Sequence, residues 1–494
     1  MKKYVLSLDQ GTTSTRALLV DQDGIARYQA SRELEPIYPR PGEVELDAER
    51  IWISTVDVVN EIMIVSGASW DDIDSIGITN QRETTVVYEK KTGRPIYNAI
   101  VWQSKASAEI CDRYKGQEEF IRERTGLLIN PYFSASKIRY ILEKVPGAEE
   151  RARQGELAFG TIDSFLVYKM TKGKSFLTDA TNASRTMLYN INTLQYDEYL
   201  LKLFAVPAPM LPEVRNCDDD YGEATFFDCR VHIRGILGDQ QSALFGQGCL
   251  RPGEGKNTYG TGCFMLMHTG GKPVITKGGL LTTIAAMRKG RASYALEGSV
   301  LVGGAVVQWL RDEMNWFKKS SDVEEYSLRR PDTGGVYVVP AFVGLGTPYW
   351  DDEARGAIFG LTRGSDRHNV TRAALYSIAY QSMDVIELMK KETGLPLTTL
   401  KVDGGASSDA LLMQFQADIL RSEILVPEQI ETTALGAAYM AGLATGFYRD
   451  EEELFAHRKF ARRYVPSISE EEAGRLYEGW LEAVKATRAF KPRR

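Results

Sequence analysis

The sequence predicts an α/β protein made of two halves that repeat one pattern. Three observations carry that expectation. Short apolar runs of strand-like composition alternate with helix-period segments. A strand–turn–strand unit at the N-terminus starts again near the middle. Both units put glycine and threonine in the turn.

The elements follow in chain order. "YVLSLDQ" (Tyr4 to Gln10), "TRALLVDQ" and "GIARYQASREL" read as three antiparallel strands, with a hairpin turn at Asp21 to Gly24. Asp47 is a candidate N-cap for a helix with Trp52, Val56, Val59 and Met63 on one face, and "IDSIGITNQ" returns to strand. "KNTYGTGCFMLMHTGG" (Lys256 to Gly271) is again strand, turn, strand, and "GLLTTIAAM" and "RASYALEGSV" add two more. A helix is expected next, with Val306, Val307, Leu310 and Met314 on one face. "LKVDGGASSDALLMQFQADIL" then reads as strand, double-glycine turn and helix. "LRPGEG" (Leu250 to Gly255) punctuates the chain between the halves. Domains are therefore expected at residues 1–249 and 250–494, with a charged helical tail from about residue 450.

Bulk properties agree. At 494 residues the chain exceeds one ordinary core. Its 43% apolar and 26% charged residues are globular values. A net charge of −6 argues against a nucleic-acid binder. Cys111, Cys217, Cys229, Cys249 and Cys263 are scattered, with no metal-ligand spacing, which fits reduced thiols. "MKKYVLSLDQG" is not a signal peptide, and no long apolar run spans a membrane, so a soluble cytoplasmic protein is expected.

The turns carry the chemistry. "LDQGTTSTR" places Asp9 at a strand end, then Gly11, Thr12, Thr13 and Ser14 in a tight loop. Backbone N–H groups and hydroxyls in such a loop form a nest for phosphate oxygens. A carboxylate at the strand end can hold Mg²⁺ through waters. Alone, this loop is more simply a hairpin of turn formers. Three further turns change the balance: "GDQQ" at Gly238 and Asp239, "TYGTGCF", and "VDGGASSD", which opens a helix as a phosphate or nucleotide site would.

These segments, with "GITNQRETT", "NAIVWQ", "NPYFSASK" and "GTPYWDDEARGAIFGLTRG", resemble glycerol kinases. Those belong to the FGGY carbohydrate kinases, whose fold is that of the actin-like ATPases. The resemblance runs from the first strand to about Gly446. It implies two ribonuclease-H-like domains with ATP in the cleft between them. It implies phosphorylation of glycerol to sn-glycerol 3-phosphate in glycerol uptake and catabolism. Mg²⁺ is the implied cofactor, and a homodimer or homotetramer the implied assembly.

The same resemblance assigns residues. Arg82 and Glu83 of "NQRETT" would touch the glycerol hydroxyls, one as donor and one as acceptor. Taken alone, an Arg-Glu pair reads as a solvated surface pair. Tyr132 would bond a hydroxyl, and Trp102 and Phe264 would wall the carbon chain, although an isolated aromatic is more often plain core. Asp239 would be the general base, with Gln240 holding the same end of glycerol; a helix N-cap is the blander role for Asp239. Asp9 and Asp239 would hold the metal. Thr12, Thr13, Ser14, Arg16 and Thr261 would contact phosphates. Gly304, Gln308 and Gly405 would line ribose and adenine. Asp409 departs from the asparagine common in the family; it would accept from the adenine amino group, or serve only as a helix cap.

Two other readings are weighed against this one. A kinase for another polyol or a pentulose shares the fold but not the combination of "NQRETT", Trp102 and Tyr132. An actin- or chaperone-like ATPase would need the phosphate turns but no acceptor pocket.

Overall fold

A computed structural model of the chain describes residues 2–456 and 458–490. The first three strands are β1 (Tyr4–Gln10), β2 (Ser14–Val20) and β3 (Ala26–Glu33), antiparallel as the sequence predicts. Gly24, at φ +72°, closes the hairpin in the left-handed region that glycine enters without a Cβ penalty. Helix α1 (Ala48–Ser66) starts at Asp47, whose carboxylate accepts from the N–H groups of Glu49 and Arg50. Strands β4 (Ile73–Asn80) and β5 (Ile233–Gly238) complete a sheet of order β5-β4-β1-β2-β3, with β1, β4 and β5 parallel. Helix α2 (Asp239–Gly246) follows β5 directly.

The second half repeats this plan. Strands β6 (Glu254–Tyr259), β7 (Cys263–Gly270), β8 (Leu281–Arg288) and β9 (Arg291–Val300) form antiparallel pairs; β10 (Thr399–Asp403) and β11 (Ile424–Pro427) run parallel to β6. The sheet order is β8-β9-β7-β6-β10-β11-β12, where β12 (Phe460–Tyr464) pairs antiparallel with β11. The run β9-β7-β6-β10-β11 matches the first sheet in order and direction. Two ribonuclease-H-like sheets are therefore present, as expected. Helices α3 (Ala305–Asp312), α4 (Arg367–Thr393) and α5 (Ala410–Leu420) pack with this second sheet in one core.

Helix α6 (Thr432–Thr445) crosses back. It belongs to the second half in sequence but packs on β1, β4, β5 and α2 of the first. Alternation along β1 shows why. Leu6 and Leu8 join the core under α1, while Val5 joins the core that holds Ala434, Leu435 and Ala438 of α6. Glycine makes the approach possible: a Cβ on Gly77 would lie 2.2 Å from Ala437 O, and one on Gly436 only 1.9 Å from Ser242 O. Such distances leave no room for any side chain.

Two local expectations are corrected. Met314 is not on the helix face with Val306, Val307 and Leu310; α3 ends at Asp312, Asn315 takes a left-handed φ of +55°, and Met314 is 40% exposed. The tail is not wholly helical: residues 460–464, "FARRY", form the exposed edge strand β12. Its arginines suit an edge that must not pair further. Helix α7 (Glu470–Ala489) follows and buries Trp480 in the second core.

Candidate active site

Parallel strands gather functional residues at their carboxyl ends, the usual binding edge of such sheets. Asp9 is near the end of β1, Gln81 to Glu83 follow β4, and Asp239 follows β5. In the second sheet the parallel strands β6 and β10 end at Tyr259 and Asp403, with Thr261 and Gly405 just beyond.

Arg82 and Glu83 are not a solvated pair. They are 2% and 1% exposed, and Glu83 holds φ +59°, a conformation that costs a non-glycine residue about 1–2 kcal/mol. Strain of this kind persists where the surroundings fix the residue. Here a network of buried charges does so. Arg82 donates from Nη1 to Glu297 Oε2 at 2.6 Å and from Nη2 to Glu297 Oε1 at 3.0 Å. Arg185 donates from Nε to Glu83 Oε1 at 2.6 Å and from Nη2 to Glu297 Oε1 at 3.1 Å. Burial pushes the Glu83 carboxyl up, against the pull of Arg185 and Arg82. Burial also pushes Glu297 up, but Arg185 and Arg82 together outweigh it and hold it at about 2.

The network faces Asp239. Arg82 Nε lies 3.0 Å from Asp239 Oδ1, close in charge but with its N–H aimed at no acceptor among the described residues. A buried donor left without an acceptor is where a ligand oxygen fits. Gly238 makes the placement possible, since a Cβ there would sit 2.7 Å from Arg82 Cγ. Asn182 braces the same corner, its amide donating to Asn80 Oδ1 and Asp179 Oδ1.

Three aromatics border this spot. The Trp102 ring meets Tyr132 at 5.5 Å and Phe264 at 6.1 Å between centroids, both edge-on. Phe264 comes from β7, so the second half contributes to the wall. Burial pushes the Tyr132 hydroxyl well up, which keeps it a donor. Lys137, wholly buried, donates to the Tyr132 carbonyl and fixes that loop.

Asp239 is the first residue of α2, and Gly238 takes the cap position instead. The Asp239 Oδ1 accepts from the Gln240 N–H at 2.8 Å, and its side chain stays 31% exposed. Burial pushes the Asp9 carboxyl up to about 7; Arg16 opposes this, and Asp239 and Glu431 add to it. No cluster of three or more acidic, histidine or cysteine ligands exists among the described residues. Two neighbouring carboxylates with hard oxygens suit Mg²⁺, which takes one or two carboxylates beside phosphate and water.

The residues expected to bind nucleotide fall into two groups. In the first turn, Gly11 N–H donates to Ser14 O at 2.9 Å, and Thr12 Oγ1 accepts from Trp102 Nε1 at 2.9 Å. The Thr12 hydroxyl thus ties the turn to the aromatic wall, and Thr13 is exposed at its tip. Arg16 pairs with Glu431 at 2.6 Å. In the second group, the N–H groups of Gly303 and Ala305 donate to Thr261 O, and Gly304 N–H donates to Gly260 O at 2.8 Å. A Cβ on Gly404 would lie 2.5 Å from Tyr259 O. Thr261, Gly304 and Gly405 are thereby gathered around the end of β6, with Gln308 exposed on α3. Asp409 caps α5, its Oδ1 accepting from Leu412 N–H at 2.8 Å.

Sequence reasoning missed Glu297 and Arg185. A signal existed for the first: Glu297 interrupts the apolar strand "YALEGSV", where a charge must be paired.

Two ribonuclease-H-like sheets with glycine- and threonine-rich turns at their strand ends are the architecture of a sugar-kinase-like phosphotransferase. Residues 4–246 match the N-terminal domain, and residues 255–445 the C-terminal domain, of the FGGY family of carbohydrate kinases. The chain belongs to that family. It is 54% identical to a glycerol kinase of Shewanella baltica over 492 residues, 99% of this chain and 100% of that protein. It is also 54% identical to a glycerol kinase of Carboxydothermus hydrogenoformans, across 99% of both. Among solved structures, glycerol kinase of Plasmodium falciparum with ADP superposes with a TM-score of 0.93 at 33% identity, covering 98% of each chain. Gluconate kinase of Lactobacillus acidophilus, at 22% identity and TM-score 0.88 over 99% of each chain, shares the fold. No helix among the described residues is long and apolar enough to cross a membrane.

Proposed function

We propose that the protein transfers the γ-phosphoryl group of ATP to a terminal hydroxyl of glycerol, giving sn-glycerol 3-phosphate. The observation that carries this is the pairing of Arg82 Nε, a buried donor with no aligned acceptor among the described residues, with the part-exposed carboxylate of Asp239 3.0 Å away. A small polyol satisfies both: one oxygen accepts from the arginine while a hydroxyl donates to the aspartate.

Phosphoryl transfer asks the protein for alignment, charge neutralisation and a proton acceptor. Asp239 accepts the hydroxyl proton as the oxygen attacks phosphorus. Glu83 and Tyr132 hold the other hydroxyls, and Trp102, Tyr132 and Phe264 exclude water from the carbon chain. Asp9 and Asp239 would hold Mg²⁺, which neutralises phosphate charge when bound. Backbone N–H groups at Thr12 to Ser14 and at Thr261 receive the phosphates. Gly304, Gln308 and Gly405 receive the nucleoside.

The two domains are taken as residues 1–249 and 250–494, with α6 crossing back. A cytoplasmic setting is consistent with five free, buried cysteines. A homodimer or homotetramer is the proposed assembly, by analogy with the family. Phosphorus NMR of the reaction mixture tests the chemistry: glycerol 3-phosphate should appear as ATP is consumed. ATP loss yielding only inorganic phosphate would reject the proposal.

A further inference from the structure

Lys256 lies on β6 in the second half and is wholly buried. A buried ammonium needs acceptors. This one has Thr258 Oγ1 at 3.0 Å and, in a close contact, Gln240 Oε1. The charged groups around it are Asp403, Asp239, Arg82 and Glu297, and burial draws its pKa down to about 8.

The contact decides how Gln240 stands. A side-chain amide has one accepting end and one donating end. An ammonium only donates, so it selects Oε1. Nε2 is then turned the other way, and lies 3.4 Å from Asp239 Oδ2. Gln240 thus offers N–H, rather than oxygen, on the Asp239 side.

We propose that Lys256 is a positioning residue that locks the Gln240 amide with its nitrogen toward Asp239 and the acceptor hydroxyl. This rests on the reading of Asp239 and Gln240 as the groups that receive glycerol. The second half of the chain then sets the donor pattern of a pocket built largely by the first.

A double-mutant cycle tests it, using Lys256→Met and Gln240→Ala, alone and combined, in the full chain. Lys256→Met should lower kcat/KM for glycerol about 10- to 100-fold while KM for ATP moves less than about threefold. In the Gln240→Ala background the same change should cost less than about threefold more, because the group it acts through is gone. Equal costs in both backgrounds, no cost in either, or a matching rise in KM for ATP would overturn the proposal; the last would make Lys256 a phosphate contact. If Lys256→Met is recovered unfolded, Lys256→Leu, which also lacks a donor, replaces it under the same criteria. Wild-type protein with no glycerol-dependent ADP release would reject the functional reading and this inference together, whereas failure confined to the cycle rejects the inference alone.

Discussion

Arg82 and Glu297, 215 residues apart, meet in a buried two-pronged ion pair at 2.6 and 3.0 Å. One comes from the loop after β4, the other from within β9. The pair joins the two halves and leaves Arg82 Nε facing Asp239. Paired in this way, the arginine is fixed by the domain that does not carry it.

Glu297→Gln should therefore weaken both stability and glycerol use. Breaking one partner of a buried pair costs about 3–5 kcal/mol. The pH dependence has a definite sign. The Glu297 carboxyl is held at about 2 in the folded protein, below its ordinary 4.5, so its stabilisation is present above pH 4.5 and is lost as pH falls toward 2. A drop from 4.5 to about 2 corresponds to about 3 kcal/mol. Urea titrations across that window should show a steep acid limb for the wild type and a shallower one for Glu297→Gln. Parallel limbs would contradict the assignment.

Arg82→Ala removes the proposed donor to glycerol and strands Glu297 with Arg185. Efficiency toward glycerol should fall at least about tenfold more than affinity for ATP, read from steady-state kinetics and nucleotide titration. Equal losses for both ligands would make Arg82 a purely structural residue.

Asp409→Asn should leave thermal stability nearly unchanged, since asparagine caps a helix as well as aspartate does. The Leu412 N–H bond needs only one oxygen. The ATP-to-GTP ratio of kcat/KM should fall, because an amide can rotate to donate to the guanine carbonyl where a carboxylate cannot. An unchanged ratio would leave Asp409 as a cap alone.

Much of this was legible in the sequence, for reasons that differ by residue. The strands and turns around Asp9, Thr12, Asp239 and Gly404 are local patterns, set by period-2 alternation and by glycine. The crossing of α6 is not local: Gly77 and Gly235 on the strands and Gly436 on the helix must match across most of the chain before the two can touch. Arg82 and Glu83 read alone as surface charges because their partners, Glu297 and Arg185, lie 215 and 102 residues off. The edge strand β12 was hidden by charge, which suits an exposed strand as well as an exposed helix.

The most direct test is a coupled assay of ADP release with and without glycerol, for the wild type and Asp239→Asn. ADP release should saturate with glycerol and nearly vanish without it. Asp239→Asn should lower kcat by about two to four orders of magnitude while nucleotide affinity persists. ADP release at the same rate without glycerol, or near-native turnover by Asp239→Asn, would contradict the account.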